Sequence, residues 1–136
     1  MQFDTKIAVV LRDDLAVWQK ANVTAFLVSG IAGTIPAVVG KRYRDGSGNE
    51  YLPMFRQPVM VYGADGAALR RAYARAMERD VKLAVYTYEL FTTGHDEANR
   101  AAVAAVAADD LDLVGIAFRA DRKIADKVID RLRPHT

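Results

Sequence analysis

A chain of 136 residues, 51% hydrophobic and 26% charged, is long and apolar enough to bury a core of its own, and its composition is neither disordered nor fibrous. With no cysteine it holds no disulfide and no thiolate metal site. The 19 basic and 17 acidic residues give a formal charge of +2, too small an excess for a protein whose main business is gripping phosphate backbones, so DNA is not an expected partner. The start, MQFDTKIAVVLRDD, has no basic stretch followed by an apolar core, and the longest apolar candidate, residues 23–39, is broken by Thr24, Ser29, Thr34 and Pro36. Neither a secretory leader nor a membrane span is expected, and a cytoplasmic location is.

Residues 6–11 (KIAVVL) form a short β-branched run bounded by charges, which predicts a central strand buried on both faces. Asp14 is placed to cap a helix that starts near Leu15 and runs without a breaker to Gly30 and Gly33. Val17, Trp18, Ala21, Ala25 and Leu27 or Val28 are expected on its apolar face. The stretch RDGSGNE, followed by EYLPM, predicts an exposed hairpin, an insertion over residues 38–54. Pro58 precedes the strand pattern VMVY, and Asp65 caps a helix in which Leu69, Ala72, Tyr73, Ala76 and Met77 share one face. Arg70, Arg71, Arg75 and Arg79 gather away from that face, as a solvated surface or an RNA contact.

Residues 82–91 (KLAVYTYELF) predict a further strand, and TTGHDEANR its exit. Thr93 or Asp96 is expected to cap a helix over residues 97–108 with Ala102, Val103 and Val106 turned inward. Residues 113–118 (LVGIAF) predict the last strand, Asp121 opens a final helix, and Pro134 ends it. Strands alternating with helices indicate an α/β fold: a three-layer sandwich with a mixed, mostly parallel sheet and helices on both faces, in one domain over residues 1–136.

In such sheets ligands collect at the carboxyl ends of parallel strands, which directs attention to residues 12–22, 89–99 and 118–123. His95, beside Asp96 in a strand-to-helix loop, suits a proton shuttle, and equally a helix cap. Thr92 and Thr93 offer hydroxyls to a substrate oxygen or to the same cap. Glu89, in an otherwise apolar strand, calls for a structural ion pair with Arg12 or Lys20, or for a role in proton transfer. Of Asp13 and Asp14, one is free to face the cleft while the other caps. Trp18, Lys20 and Asn22 stand where a helix start receives a ligand carboxylate or phosphate, although Trp18 also reads as core. The chain has no GxGxxG, no Walker loop, no GxSxG and no histidine pair at helical spacing, so no metal and no cofactor is expected.

The segments KIAVVLRDDLAVWQKANVTAFL, YRDGSGNEYLPM and TTGHDEAN resemble, over nearly the whole chain, an uncharacterised bacterial domain-of-unknown-function family. Its members are similar in fold to type II peptidyl-tRNA hydrolases. The resemblance implies a four- or five-stranded mixed sheet flanked by helices, commonly in a dimer. Those hydrolases open their first helix with a glycine- and lysine-rich loop, absent here, and carry a lysine four residues before a glutamine. Arg12, Asp14 and Leu15 match the preceding positions; the lysine position falls on Ala21, beside Lys20, and the glutamine position on Ala25. An acidic residue followed four places later by threonine has its counterpart in Glu89 and Thr93.

Two functions follow as expectations. The first is a hydrolase or group transferase acting on a small or tRNA-linked substrate, with Lys20, Glu89, Thr93 and His95 as catalytic groups and Asp13, Trp18, Asn22, Thr92 and Asp96 touching the ligand. The second is a non-catalytic ligand-binding or regulatory module acting as a homodimer, suggested by apolar residues near Tyr51, Leu52, Met54 and Phe55.

Overall fold

The computed structural model describes residues 3–136, so the first two residues of the expected domain lie outside it. Strand β1 (Thr5–Arg12) is the central strand. Ile7, Ala8, Val9 and Val10 are fully buried because both faces of the strand are covered, which is why the run does not alternate with polar residues. Ile7, Val9 and Leu11 pack with Val23, Leu27 and Ile31 of α1 (Val17–Thr34). Ala8 and Val10 point the other way, toward Leu69, Ala72 and Ala76 of α2 (Gly66–Glu78) and Ala125 and Val128 of α4 (Arg122–Val128). Each of the large side chains so buried contributes roughly 1.5–3 kcal/mol relative to exposure.

Strands β2 (Tyr43–Arg44) and β3 (Glu50–Tyr51) form the expected hairpin, antiparallel and separate from the main sheet. The main sheet has the order β5-β6-β1-β4-β7, with β4 at Val59–Ala64, β5 at Ala84–Thr87, β6 at Leu113–Asp121 and β7 at Arg133–Pro134. Among the described residues only β1 and β4 pair in parallel; β6 runs antiparallel to both β1 and β5, and β7 antiparallel to β4. The expectation of a mostly parallel sheet is therefore corrected. A parallel crossover needs a helix that packs back onto the sheet. The nine-residue helix α3 (Asp96–Ala104) has no buried residue, and the chain it belongs to re-enters the sheet at the end where β5 left. Ala102, Val103 and Val106 are accordingly only half-buried.

Several local expectations change for identifiable reasons. Asp14 does not cap α1; the Arg12 guanidinium holds it at 2.7 Å, and the helix starts at Ala16, whose N–H is met by the Gln19 side chain at 2.9 Å. The apolar face of α1 is Val23, Leu27 and Ile31, one turn apart, whereas Val17 is 84% and Trp18 63% exposed and Ala21 and Ala25 lie outside the core. Residues 88–91, expected to continue β5, close into a 3₁₀ turn, Tyr88–Phe91. The final helix stops at Val128, well before Pro134; Arg131, at φ 67°, takes the left-handed conformation and turns the chain back, and Pro134 lies in the short β7. An edge strand tolerates that proline because it needs one ladder donor fewer. Asp65 does cap α2, accepting from the Ala68 N–H at 2.7 Å. No helix among the described residues is long and apolar enough to cross a membrane.

Candidate functional site

The two parallel strands end side by side, and both lead into helices. At the exit of β1, Arg12 donates to Asp14 at 2.7 Å, to Asp112 at 3.0 Å and to the Leu113 carbonyl at 3.3 Å, tying this exit to the entry of β6. The next residue, Asp13, donates its backbone N–H to Ala64 O at 2.9 Å, which carries its side chain across the top of β4. There the Asp13 carboxylate lies over Gly63: a Cβ at that position would stand 2.4 Å from Asp13 Oδ1 and 3.5 Å from His135 Cδ2. Both ionisable side chains thus border the space that the glycine leaves free, without an ion pair between them.

His135 reaches this position because the end of the chain runs along β4, its N–H donating to Val61 O at 2.9 Å. Its Nδ1 stands 2.8 Å from Thr136 O. A main-chain oxygen only accepts, so Nδ1 is the donor in this contact. Nε2 is buried and has no hydrogen-bond partner. Asp13, Lys20, Asp65, Arg131, Arg133 and His135 line a cleft of about 590 Å³ at this point. Ala68, Arg131 and Leu132 also border an adjoining groove of about 380 Å³, whose other walls are Arg71, Arg75 and Asp130. Three guanidinium groups and one carboxylate give that groove a positive balance, and Arg75 is fixed there by donating to Asp130 O at 3.2 Å.

Of the residues singled out from the sequence, Lys20 and Asp13 share this cleft, and Glu89, Thr93 and His95 do not line it. On α1, Trp18 and Lys20 are two residues and so about 200° apart. Trp18 turns toward the edge at β5, where it stands edge-on to Phe91 with ring centroids 5.9 Å apart, and Lys20 turns toward β4. Asn22 follows Trp18, donating to the Tyr86 hydroxyl at 3.3 Å. Burial raises the Tyr86 phenol above its ordinary pKa, while the Asn22 bond works in the opposite direction. Glu89 sits exposed in the 3₁₀ turn rather than in an apolar strand, and the ion pair expected with Arg12 or Lys20 is replaced by the contacts of Arg12 to Asp14 and Asp112.

The loop after β5 is occupied with its own hydrogen bonds. The Thr92 hydroxyl donates to Glu89 O at 2.9 Å, and that of Thr93 to Leu90 O at 3.1 Å while also touching the Asn99 side chain. His95 is the N-cap of α3, its Nδ1 accepting from Ala98 N–H at 3.3 Å, and Asp96 pairs with Arg100. The capping reading of His95 describes its position. What the sequence did not disclose is His135, in a tail with no periodic pattern, and Gly63, whose use depends on a side chain fifty residues earlier. A histidine just after a strand-compatible Arg-Pro pair is the only trace of the first; the second leaves none.

The family model described as "Protein of unknown function (DUF2000)" matches residues 5–136. No curated protein matches the chain. Among solved structures, a protein of unknown function from Agrobacterium tumefaciens strain C58 is 51% identical, with a TM-score of 0.96 over 99% of this chain and 100% of its own. That neighbour has this mixed sheet with its helices. With a match over nearly its whole length, the chain belongs to the DUF2000 family of proteins of unknown function.

Proposed function

We propose that the cleft at the ends of β1 and β4 is the active site of a hydrolase or group transferase whose substrate joins a small acyl group to a phosphate-rich tail, as a tRNA-linked ester does. The observation that carries this reading is the convergence of Asp13 and His135 over Gly63, beside Lys20, in a cleft that opens onto the arginine-bordered groove. Two further features support it. The resemblance to type II peptidyl-tRNA hydrolases implies such a substrate, and their three-layer plan is compatible with α1 on one side of a mixed sheet and α2 and α4 on the other.

In this mechanism the His135 ring turns its Nε2, buried in the structure, out to the cleft as substrate enters, and Nε2 takes the proton of a water that attacks the ester carbonyl carbon. The Asp13 carboxylate, at the same spot, stabilises the imidazolium so formed. The Lys20 ammonium faces the negative charge that gathers on the carbonyl oxygen. The carbon–oxygen bond then breaks, and His135 returns the proton to the departing hydroxyl. Arg71, Arg75 and Arg131 hold the phosphates of the tail.

The test is release of peptide from peptidyl-tRNA by the purified protein. Wild type is expected to turn over, His135→Ala to lose about a hundredfold or more in kcat, the usual scale of general acid–base catalysis, and Lys20→Ala a comparable amount. Absence of release by wild type, or release that His135→Ala leaves intact, overturns the reading.

A second reading, a homodimeric binding or regulatory module, is favoured by one feature. Tyr43, Tyr51, Leu52 and Met54 on and after the hairpin are 50–76% exposed, a concentration of apolar surface of the kind that covers a partner subunit; Phe55 is not part of it, being half-buried against the core. Light scattering across concentrations is expected to give a dimer that Leu52→Asp dissociates; a monomer throughout removes this reading.

A further inference from the structure

At the far end of the sheet, around the start of β1, a second groove of about 520 Å³ runs between the last turn of α1, the end of α2 and the start of β5. Six residues of extended chain, about 20 Å, separate it from the proposed active site. Its apolar lining comes from Ile31 and Ile35 at the end of α1 and from Val81 and Leu83 ahead of β5, and Thr34 and several charged residues border it as well. Arg119 enters from β6, two residues after Ala117, and therefore on the side of the sheet that α1 covers.

Arg119 is partly buried, and its Nε is shielded from solvent with no hydrogen-bond partner. None of the ion pairs among the described residues includes it, although the groove has two carboxylates of its own, Asp80 and Asp121. With Arg79, Lys82 and Arg119 the lining carries three cations to these two carboxylates, and Arg119 is the one whose Nε is buried without an acceptor. A buried guanidinium N–H given no acceptor carries a free-energy cost that an anion from outside would relieve by accepting from it. More of the lining surface is apolar than polar, and the groove has the size of a small-molecule site.

We propose that this groove binds a small monocarboxylate with an apolar body, the carboxylate paired with Arg119 and the hydrocarbon lying along Ile31, Ile35 and Leu83. A single negative charge matches the lining's excess of one cation, and a planar carboxylate accepts two parallel N–H bonds from the guanidinium fork. A multiply charged phosphate lacks the apolar portion that the walls would cover. This site is independent of the cleft at the other end of the sheet and of the reaction proposed there.

The experiment is calorimetric titration of the full chain with octanoate, octanol and inorganic phosphate, together with melting curves of the ligand-free variants Arg119→Met and Arg119→Lys. Octanoate is expected to bind one to one, octanol about tenfold or more weakly for want of the charge-assisted pair, and phosphate not at all. Arg119→Met should weaken octanoate at least about tenfold, while Arg119→Lys, which keeps the charge and loses the fork, falls between. Without ligand, Arg119→Met should melt at or above the wild-type temperature, because an unpaired charge has given way to an apolar chain. The proposal is overturned if octanoate does not bind, if phosphate binds as well as octanoate, if Arg119→Met binds octanoate unchanged, or if Arg119→Met alone of the two variants lowers the melting temperature, since the guanidinium would then be a structural contact.

Discussion

Gly63 and Gly115 both stand where a methyl group would collide, yet substitution at the two positions should have different consequences. At Gly63 the obstructing atom is Asp13 Oδ1, the end of an exposed side chain that can swing aside. Gly63→Ala is therefore expected to change stability by no more than about 0.5 kcal/mol in urea unfolding, the range of ordinary surface changes, while displacing the carboxylate from His135 and lowering hydrolytic activity. At Gly115 the added carbon would meet Val23 Cγ1 at 2.8 Å, Leu27 Cδ1 at 3.1 Å and Leu11 Cδ2 at 3.3 Å, all in the core. None of these has room to retreat, so Gly115→Ala should cost about 1–3 kcal/mol, the overpacking range, and leave any activity that survives unaltered in its pH profile. Equal losses of stability in the two variants would show that Asp13 is a packing residue rather than a free one.

Among the elements, the β2–β3 hairpin depends on one carboxylate. Asp45 accepts from the Tyr51 hydroxyl at 2.7 Å, from the Asn49 side chain at 3.0 Å, and from the backbone N–H groups of Ser47 and Asn49 at 2.9 and 3.0 Å. Chiefly through Tyr51, then Asn49, these bonds lower its pKa from 3.8 to about 2. The same bond to Asp45 raises the Tyr51 phenol. A carboxyl whose folded pKa is depressed stabilises the folded form above its unfolded pKa, and that contribution is lost as the pH falls through the folded value. The hairpin should hence remain ordered down to about pH 4 and loosen toward pH 2. In an NMR titration Tyr51→Phe should bring the Asp45 midpoint up toward 3.8; an unchanged midpoint would mean that the backbone donors alone set it.

The hairpin was legible in the sequence because its turn chemistry is local, and so were β1, α2 and the Asp65 cap, each written in a contiguous pattern. The face of α1 was misread for an equally physical reason. Trp18 and Phe26 are apolar but spread across the flank of the helix, where they meet Phe91 and Tyr86 edge-on rather than entering the core, and they compete with Val23, Leu27 and Ile31 for the same helical period. The strand over residues 82–91 was overextended because aromatic residues favour strands as strongly as they favour the packed turn they form here.

For the whole molecule, near-neutral charge excludes indiscriminate binding to polyanions but leaves room for a local one, and the fold supplies it by setting Arg131 of the returning chain beside Arg71 and Arg75 of α2. Binding of tRNA should weaken steeply with salt, and Arg71→Ala and Arg75→Ala should each flatten the slope of log affinity against log salt by about one. A slope that both variants leave unchanged would detach the arginine groove from the proposed active site.

The sequence by itself determined an α/β chain with a buried central strand, a hairpin insertion, and chemistry limited to carboxylate, hydroxyl, amine, guanidine and imidazole by the lack of cysteine. Those properties are set by neighbours in the chain and by composition. Only the tertiary structure decided that the sheet is largely antiparallel and that Lys20 and Asp13 share a cleft with His135, which Glu89, Thr93 and His95 do not line. Strand direction depends on whether a connecting helix packs back across the sheet, and α3 does not. The entry of His135 into that cleft depends on a reversal at Arg131 that lays the end of the chain along β4, its N–H on the oxygen of Val61 far back in the sequence, a contact that no local pattern encodes.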